Sequence, residues 1–211
     1  MTYEITTEGQ PEYLVKDLPP EGPIEVTRPQ IYFGENDYKS VIVGTKVDEF
    51  DYPTSEENIS HRFEANTGIP LTGMNRLLFA WDEGSFRYLV SDQITEESQL
   101  LQTRNIVDRV QRIAPFLHLD DDPYPVVRND GSIVWLLDAF TMTNRYPFSD
   151  TGNGSVNYIK NPIKVAVDAY TGEVTFYLID PDEPLAQTYH NIFPDLFETT
   201  VPEDIRSHSR Y

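Results

Sequence analysis

The sequence contains no cysteine. That excludes disulfides, thiol nucleophiles and zinc–thiolate sites. Basic residues are scarce: 16 stand against 35 acidic ones, for a formal net charge of -19. The long-range field of such a chain repels phosphate, which excludes nucleic acid and anionic membrane surfaces as partners. No apolar run approaches the ~20 residues needed to span a bilayer. Met1-Thr2-Tyr3 opens without a basic or apolar leader pattern, so no signal peptide is expected.

The usual catalytic signatures are missing too. His61, His118, His190 and His208 never fall at i, i+4 around a glutamate, as a zinc protease helix requires. There is no Gly-x-Ser-x-Gly elbow. Gly152-Asn153-Gly154-Ser155 lacks the frame of a phosphate loop and reads as a loop tip.

What is present suits a folded domain: 211 residues, 39% hydrophobic and 12% aromatic. A chain of this length buries roughly 70% of its unfolded surface and needs no staples. Residues 1–30 carry Pro11, Pro19, Pro20, Pro23 and Pro29 among acids, which predicts an extended proline-rich arm with Tyr13-Leu14-Val15 as anchor. Residues 31–211 are expected to form a single α+β domain.

The stretch from Arg104 to Phe140 organises that domain. Ile106, Val110, Ile113, Ala114 and Leu117 recur at helical offsets and predict one buried helix face. Val126–Arg128 and Ile133–Leu137 flank Asn129-Asp130-Gly131-Ser132, and residues that accept positive φ cheaply predict a hairpin there. Ile163–Tyr170 and Glu173–Ile179 predict a second hairpin across Thr171-Gly172. Elsewhere, Ile31–Phe33 and Val41–Val43 are strand candidates, the latter expected to join the same sheet, and Phe50–Asn66 reads as irregular. Leu71, Met74, Leu78 and Trp81 lie at helical spacing after Pro70, and Gly84 is the expected stop. Phe86–Val90 suits helix or strand. Thr95, followed by Glu96 and Glu97, predicts a helix start that runs on toward Arg104. Pro184–Phe193 predicts another helix.

One cluster has chemical potential. Asp120, Asp121 and Asp122 offer three carboxylates in one loop, oxygen ligands for a hard cation such as calcium. The spacing is not that of an EF-hand, and the plainer reading is a solvated turn. Asp180, Asp182 and Glu183 form a similar, weaker group.

Several ordered blocks carry a resemblance. Arg28-Pro29-Gln30-Ile31-Tyr32-Phe33-Gly34-Glu35, Arg76-Leu77-Leu78-Phe79-Ala80, Ile113-Ala114-Pro115-Phe116-Leu117, Asp122-Pro123-Tyr124-Pro125 and Val167-Asp168-Ala169-Tyr170 resemble segments of Uncharacterised Protein Family 0182. With further blocks between, the resemblance runs along nearly the whole chain. It implies a segment of the outer, soluble region of large multi-pass membrane proteins, placed at the cell membrane on its extracytoplasmic face. It brings no activity and no catalytic residues. Val167 to Val174 is also similar to the small PepSY type of extracytoplasmic domain.

The expectation is therefore an α+β fold, an antiparallel sheet built from two β-hairpins with helices packed on one face. The expected function is an extracytoplasmic interaction or sensing domain. Its expected partner is a protein or envelope component, with no nucleic acid and no membrane binding by the domain itself. The alternatives are a metal-assisted hydrolase of envelope material, using Asp120–Asp122 or Asp138, and a structural spacer. No cofactor is expected, with calcium at Asp120–Asp122 as the one candidate.

Overall fold

A computed structural model describes residues 3–5, 7–13, 20–36, 39–54, 57–150, 152 and 154–209. The chain divides into two compact units, Met1–Glu35 with Asn105–Tyr211, and Asn36–Arg104. Leu14 and Val15 of the expected anchor lie outside the described residues. No helix among the described residues is long and apolar enough to cross a membrane.

The chain opens with a short antiparallel pair, β1 (Tyr3–Ile5) and β2 (Pro11–Tyr13). Residues 20–35 then run over the hairpins of their own unit without forming a strand. The Tyr32 and Phe33 amides both donate to the Ala169 carbonyl, at 2.8 and 2.9 Å. Trp135 Nε1 donates to the Phe33 carbonyl at 2.9 Å. The Phe33 ring lies against Gly172, where a Cβ would come within 2.5 Å of it, and Gly172 holds φ +72°. The position thus requires glycine twice over, for close approach and for backbone conformation.

The second unit holds β3 (Val41–Val43), β4 (Glu49–Pro53), β5 (Asn58–His61), β6 (Ile69–Pro70), α1 (Gly73–Asp82), α2 (Arg87–Val90) and β7 (Gln99–Leu101). Three sequence expectations are corrected here. β3 does not join the hairpin sheet; it pairs with β7, which pairs with β6, in a separate antiparallel sheet. Residues 50–66 are not irregular throughout, because β4 and β5 make a hairpin with a bulge between Phe50 and Tyr52. Thr95 caps a turn and not a helix: its Oγ1 accepts from the Glu97 amide, and Ser98 Oγ donates to the Gly44 carbonyl, after which β7 begins. This unit packs around Leu71, Phe79 and Leu100.

The first unit resumes with α3 (Ile106–Ile113), β8 (His118–Leu119), β9 (Tyr124–Val127), β10 (Ile133–Thr143), β11 (Tyr158–Asp168), β12 (Val174–Leu178), α4 (Pro184–Ile192), β13 (Phe197–Glu198) and α5 (Glu203–His208). Asn105 Oδ1 caps α3 by accepting from the Asp108 amide at 2.9 Å. Ile106, Val110, Ala114 and Leu117 are buried, but Ile113 is exposed, so the inward face follows the 4, 4, 3 spacing and leaves Ile113 outside. Both expected hairpins form. The Arg128 amide donates to the Ser132 carbonyl at 2.9 Å, and β11 turns into β12 through Thr171-Gly172.

The sheet runs β13-β12-β11-β10-β8, with β9 also on β10; β13 lies parallel to β12 and the other pairs are antiparallel. Alternation sends Leu137, Ala139, Ile163, Val165, Val167 and Phe176 to one face, all buried. Val134, Leu136 and Ala166 point to the other, where they pack with Val126 and Ile205 of α5. Both faces are covered, which is why β11 is buried without a break from Pro162 to Val167. Helix α5 supplies the cover of the second face through Ile205.

Candidate functional site

Helix α1 ends cleanly. Beyond Glu83, Gly84 takes φ +61° and its amide bonds to the Trp81 carbonyl at 3.1 Å. Its sequence, GMNRLLFAWD, holds more apolar residues than one face accommodates. Phe79 and Ala80 face the unit's core, with Arg76 beside them. On the opposite side, Met74 (65% exposed), Leu77 (50%), Leu78 (59%) and Trp81 (87%) form a stripe at offsets 0, 3, 4 and 7. At α2, Phe86 and Val90, spaced four apart, are also exposed, at 81% and 80%. The spacing of Met74, Leu78 and Trp81 predicts the helix that forms, and the structure turns that face to solvent. Periodicity identifies the stripe but not its direction; the signal that could have found the direction is the second apolar set, Phe79 and Ala80, on the far side.

The stripe sits on a firm base. Arg76 Nε donates to the Tyr88 carbonyl at 2.5 Å, and its Nη2 to the Ser91 carbonyl at 2.7 Å. The Phe79 and Tyr88 rings meet edge-on at 4.7 Å. These contacts lock α1 to α2 without using any stripe residue. Soluble monomers rarely expose contiguous apolar patches beyond a few hundred Å², and larger ones mark binding surfaces.

The candidate carboxylates stand in different settings. Asp120, Asp121 and Asp122 are all exposed, and Asp120 Oδ1 accepts from the Asp121 amide. Among the described residues no three His, Cys, Asp or Glu side chains gather as a metal set would. Asp138 is buried opposite Lys164, its register partner on β11, and accepts from Lys164 Nζ in a buried ion pair. Burial pushes the Lys164 ammonium below its ordinary value, and the nearby Asp120 charge opposes that shift. Lys164 is fully buried, so the pair links β10 to β11 inside the sheet. Asp180 and Asp182 are exposed. Glu183 is buried and committed, accepting from the Tyr158 hydroxyl and from the Ala186 amide, each at 2.6 Å, as the cap of α4.

A cleft open to solvent lies between Arg128, Asp168, Glu173, Thr175, Tyr177 and Ile205. Arg128 pairs with Asp204 at 3.0 Å, and Asp168 Oδ1 accepts from the Tyr170 and Thr171 amides. Both of these charged groups are engaged in contacts within the fold.

The profile described as "Uncharacterised protein family (UPF0182)" matches residues 2–211. A "UPF0182 protein" of Methanospirillum hungatei is 46% identical over 218 residues, covering 98% of this chain and 24% of the relative. Those of Caldicellulosiruptor saccharolyticus and Pelotomaculum thermopropionicum are 44% and 45% identical, each over 99% of this chain and 23% of the relative. The chain thus spans about a quarter of the length of these curated relatives. No solved structure matches it.

Proposed function

The chain belongs to the uncharacterised protein family UPF0182, and from that premise we propose that it is an interaction module of a longer membrane-embedded protein, standing on the extracytoplasmic side and docking through the outward stripe of α1 and α2. The observation that carries this reading is the stripe itself: six large apolar side chains, each at least half exposed, held on a locked helical pair. Leaving such residues in water forgoes about 1.5–3 kcal/mol for each side chain that a partner could bury. The net charge of -19 supports a module that stands clear of an anionic leaflet and meets its partner through a neutral, apolar patch. The membrane setting rests on the family resemblance of the sequence.

The absence of cysteine makes a direct test simple, because any introduced thiol is unique within this chain. In cells making the protein with Thr200→Cys, at an exposed position, a membrane-impermeant maleimide labels the thiol without lysis if the module is extracytoplasmic. Phe86→Cys is then protected relative to Thr200→Cys, because the stripe is covered. Labelling of Thr200→Cys only after lysis overturns the location. Equal labelling at both positions overturns the docking surface.

A further inference from the structure

We infer that the stripe is covered by a second copy of this chain, two α1 helices packing antiparallel across a two-fold axis between Leu77 and Leu78. This rests on the docking surface proposed above and names its occupant.

Two features of α1 point to a copy of itself. The first is extent. Trp81 and Phe86 carry roughly 150–250 Å² each, and with Met74, Leu77, Leu78 and Val90 the exposed apolar side chains of α1 and α2 offer at most on the order of 800 Å² per copy, comparable to the share each partner gives to a stable interface. Because Met74 and Trp81 lie symmetrically about the centre of the stripe, an antiparallel pair sets each Met74 against the partner copy's Trp81. A thioether on an aromatic ring is a favourable contact.

The second is charge at the helix ends. Thr72 makes no side-chain cap hydrogen bond, the first turn of α1 has no acid, and the last turn has no base. Asp82 and Glu83 instead stand at the C-terminal end, where the dipole disfavours them. Alone, the charges at both ends of the helix are poorly matched to its dipole, although the C-terminal backbone is capped. In an antiparallel pair each Asp82-Glu83 lies beside the other copy's uncapped N-terminus, and both mismatches are relieved at once. A parallel pair would bring the acidic ends together. A bilayer surface would bury the apolar residues but leave both ends unmatched.

The net charge of -19 on each copy opposes association, and this gives the pairing a salt signature. At ~0.1 M salt the Debye length is about 10 Å, so added salt screens the repulsion between the two bodies more than the apolar contact. The pair tightens as salt rises.

The test is sedimentation of the whole chain over a concentration and salt series, with single-cysteine cross-linking. The expected result is twice the mass of one chain, a dimer strengthened by salt, loss of at least ~30-fold in affinity for Trp81→Glu, and near-unchanged pairing for Trp81→Phe. An unchanged thermal melt of Trp81→Glu shows that the loss is not unfolding. On oxidation Leu78→Cys links to itself, and Met74→Cys links to Trp81→Cys in a mixture more than to itself. A single-chain mass throughout, a dimer indifferent to Trp81→Glu, or dominant Met74–Met74 linkage overturns the inference, as does a monomer that floats with phosphatidylcholine vesicles. A monomer whose position 86 is nevertheless shielded in cells removes the second copy and leaves the interaction module standing; a position 86 labelled freely in cells removes both.

Discussion

Phe79 and Trp81, two residues apart on α1, have opposite fates: Phe79 is 7% exposed against Tyr88 and Leu100, and Trp81 is 87% exposed. One aromatic holds the helix to its unit. The other has no role in the fold of that unit. The contrast predicts that Phe79→Ala costs about 3–5 kcal/mol in a chemical melt, as large-to-small core changes do. Trp81→Ser should change stability by less than about 0.5 kcal/mol under dilute conditions. Comparable losses from both variants would mean that Trp81 is part of the core.

The inward face of α3 makes a second prediction. Val110 is fully buried in its unit, so Val110→Asp places a charge where no partner is available and costs several kcal/mol. Ile113→Asp, one turn on but exposed, should be tolerated. Urea melts of both variants check the assignment, and equal sensitivity would reject it.

Much of this architecture is legible in the sequence, and the failures have physical reasons. The turns at Asn129–Ser132 and Thr171-Gly172 are set by residues that accept positive φ, so both hairpins can be read locally. The length of their central strands cannot. β10 and β11 pair as far as Thr143 and Tyr158 through polar residues, a proline and a register shift between Ala139 and Thr141, which only the partner strand rationalises. Thr95-Glu96-Glu97 carries a helix-start pattern that turns share; Ser98 bonding to Gly44, 54 residues away, decides for the turn. On α1, spacing revealed a stripe, but which way it faces depends on Phe79 meeting Tyr88 and Leu100. Asp138 was legible only as a carboxylate in a strand; its commitment to Lys164 follows from register.

That pairing supports a third prediction. Lys164→Ala leaves the Asp138 carboxylate buried without its counter-charge and should cost about 3–5 kcal/mol. The double variant Lys164→Met, Asp138→Leu removes both charges and should recover most of that loss. A double-mutant cycle by chemical denaturation checks it. Failure of the double variant to recover would show that Asp138 has further partners essential to the fold.

Tyr158 gives a pH dependence. Burial, and then its hydrogen bond to Glu183, raise the phenol above its ordinary 10.0. A raised pKa in the folded state means the stability it contributes is fully present below pH 10 and is lost as pH rises above it. Tyr158→Phe should flatten that alkaline decline. Below pH 9 the variant gives up only the hydrogen bond to Glu183, at a cost of about 1–3 kcal/mol that does not change with pH. An alkaline stability curve identical in both proteins would contradict the assignment.

The outward stripe is the centre of this account, and Trp81 reports on it directly. The chain has two tryptophans, and Trp135 is half-buried with its Nε1 bonded to Phe33, so the difference between the native chain and Trp81→Phe isolates the Trp81 signal. Acrylamide quenching of that signal across a dilution series is the measurement. The account predicts a water-like, fully quenchable Trp81 in dilute chain that shifts to the blue and becomes shielded as copies associate. A Trp81 already shielded at the lowest concentration would place it inside the fold and contradict the account.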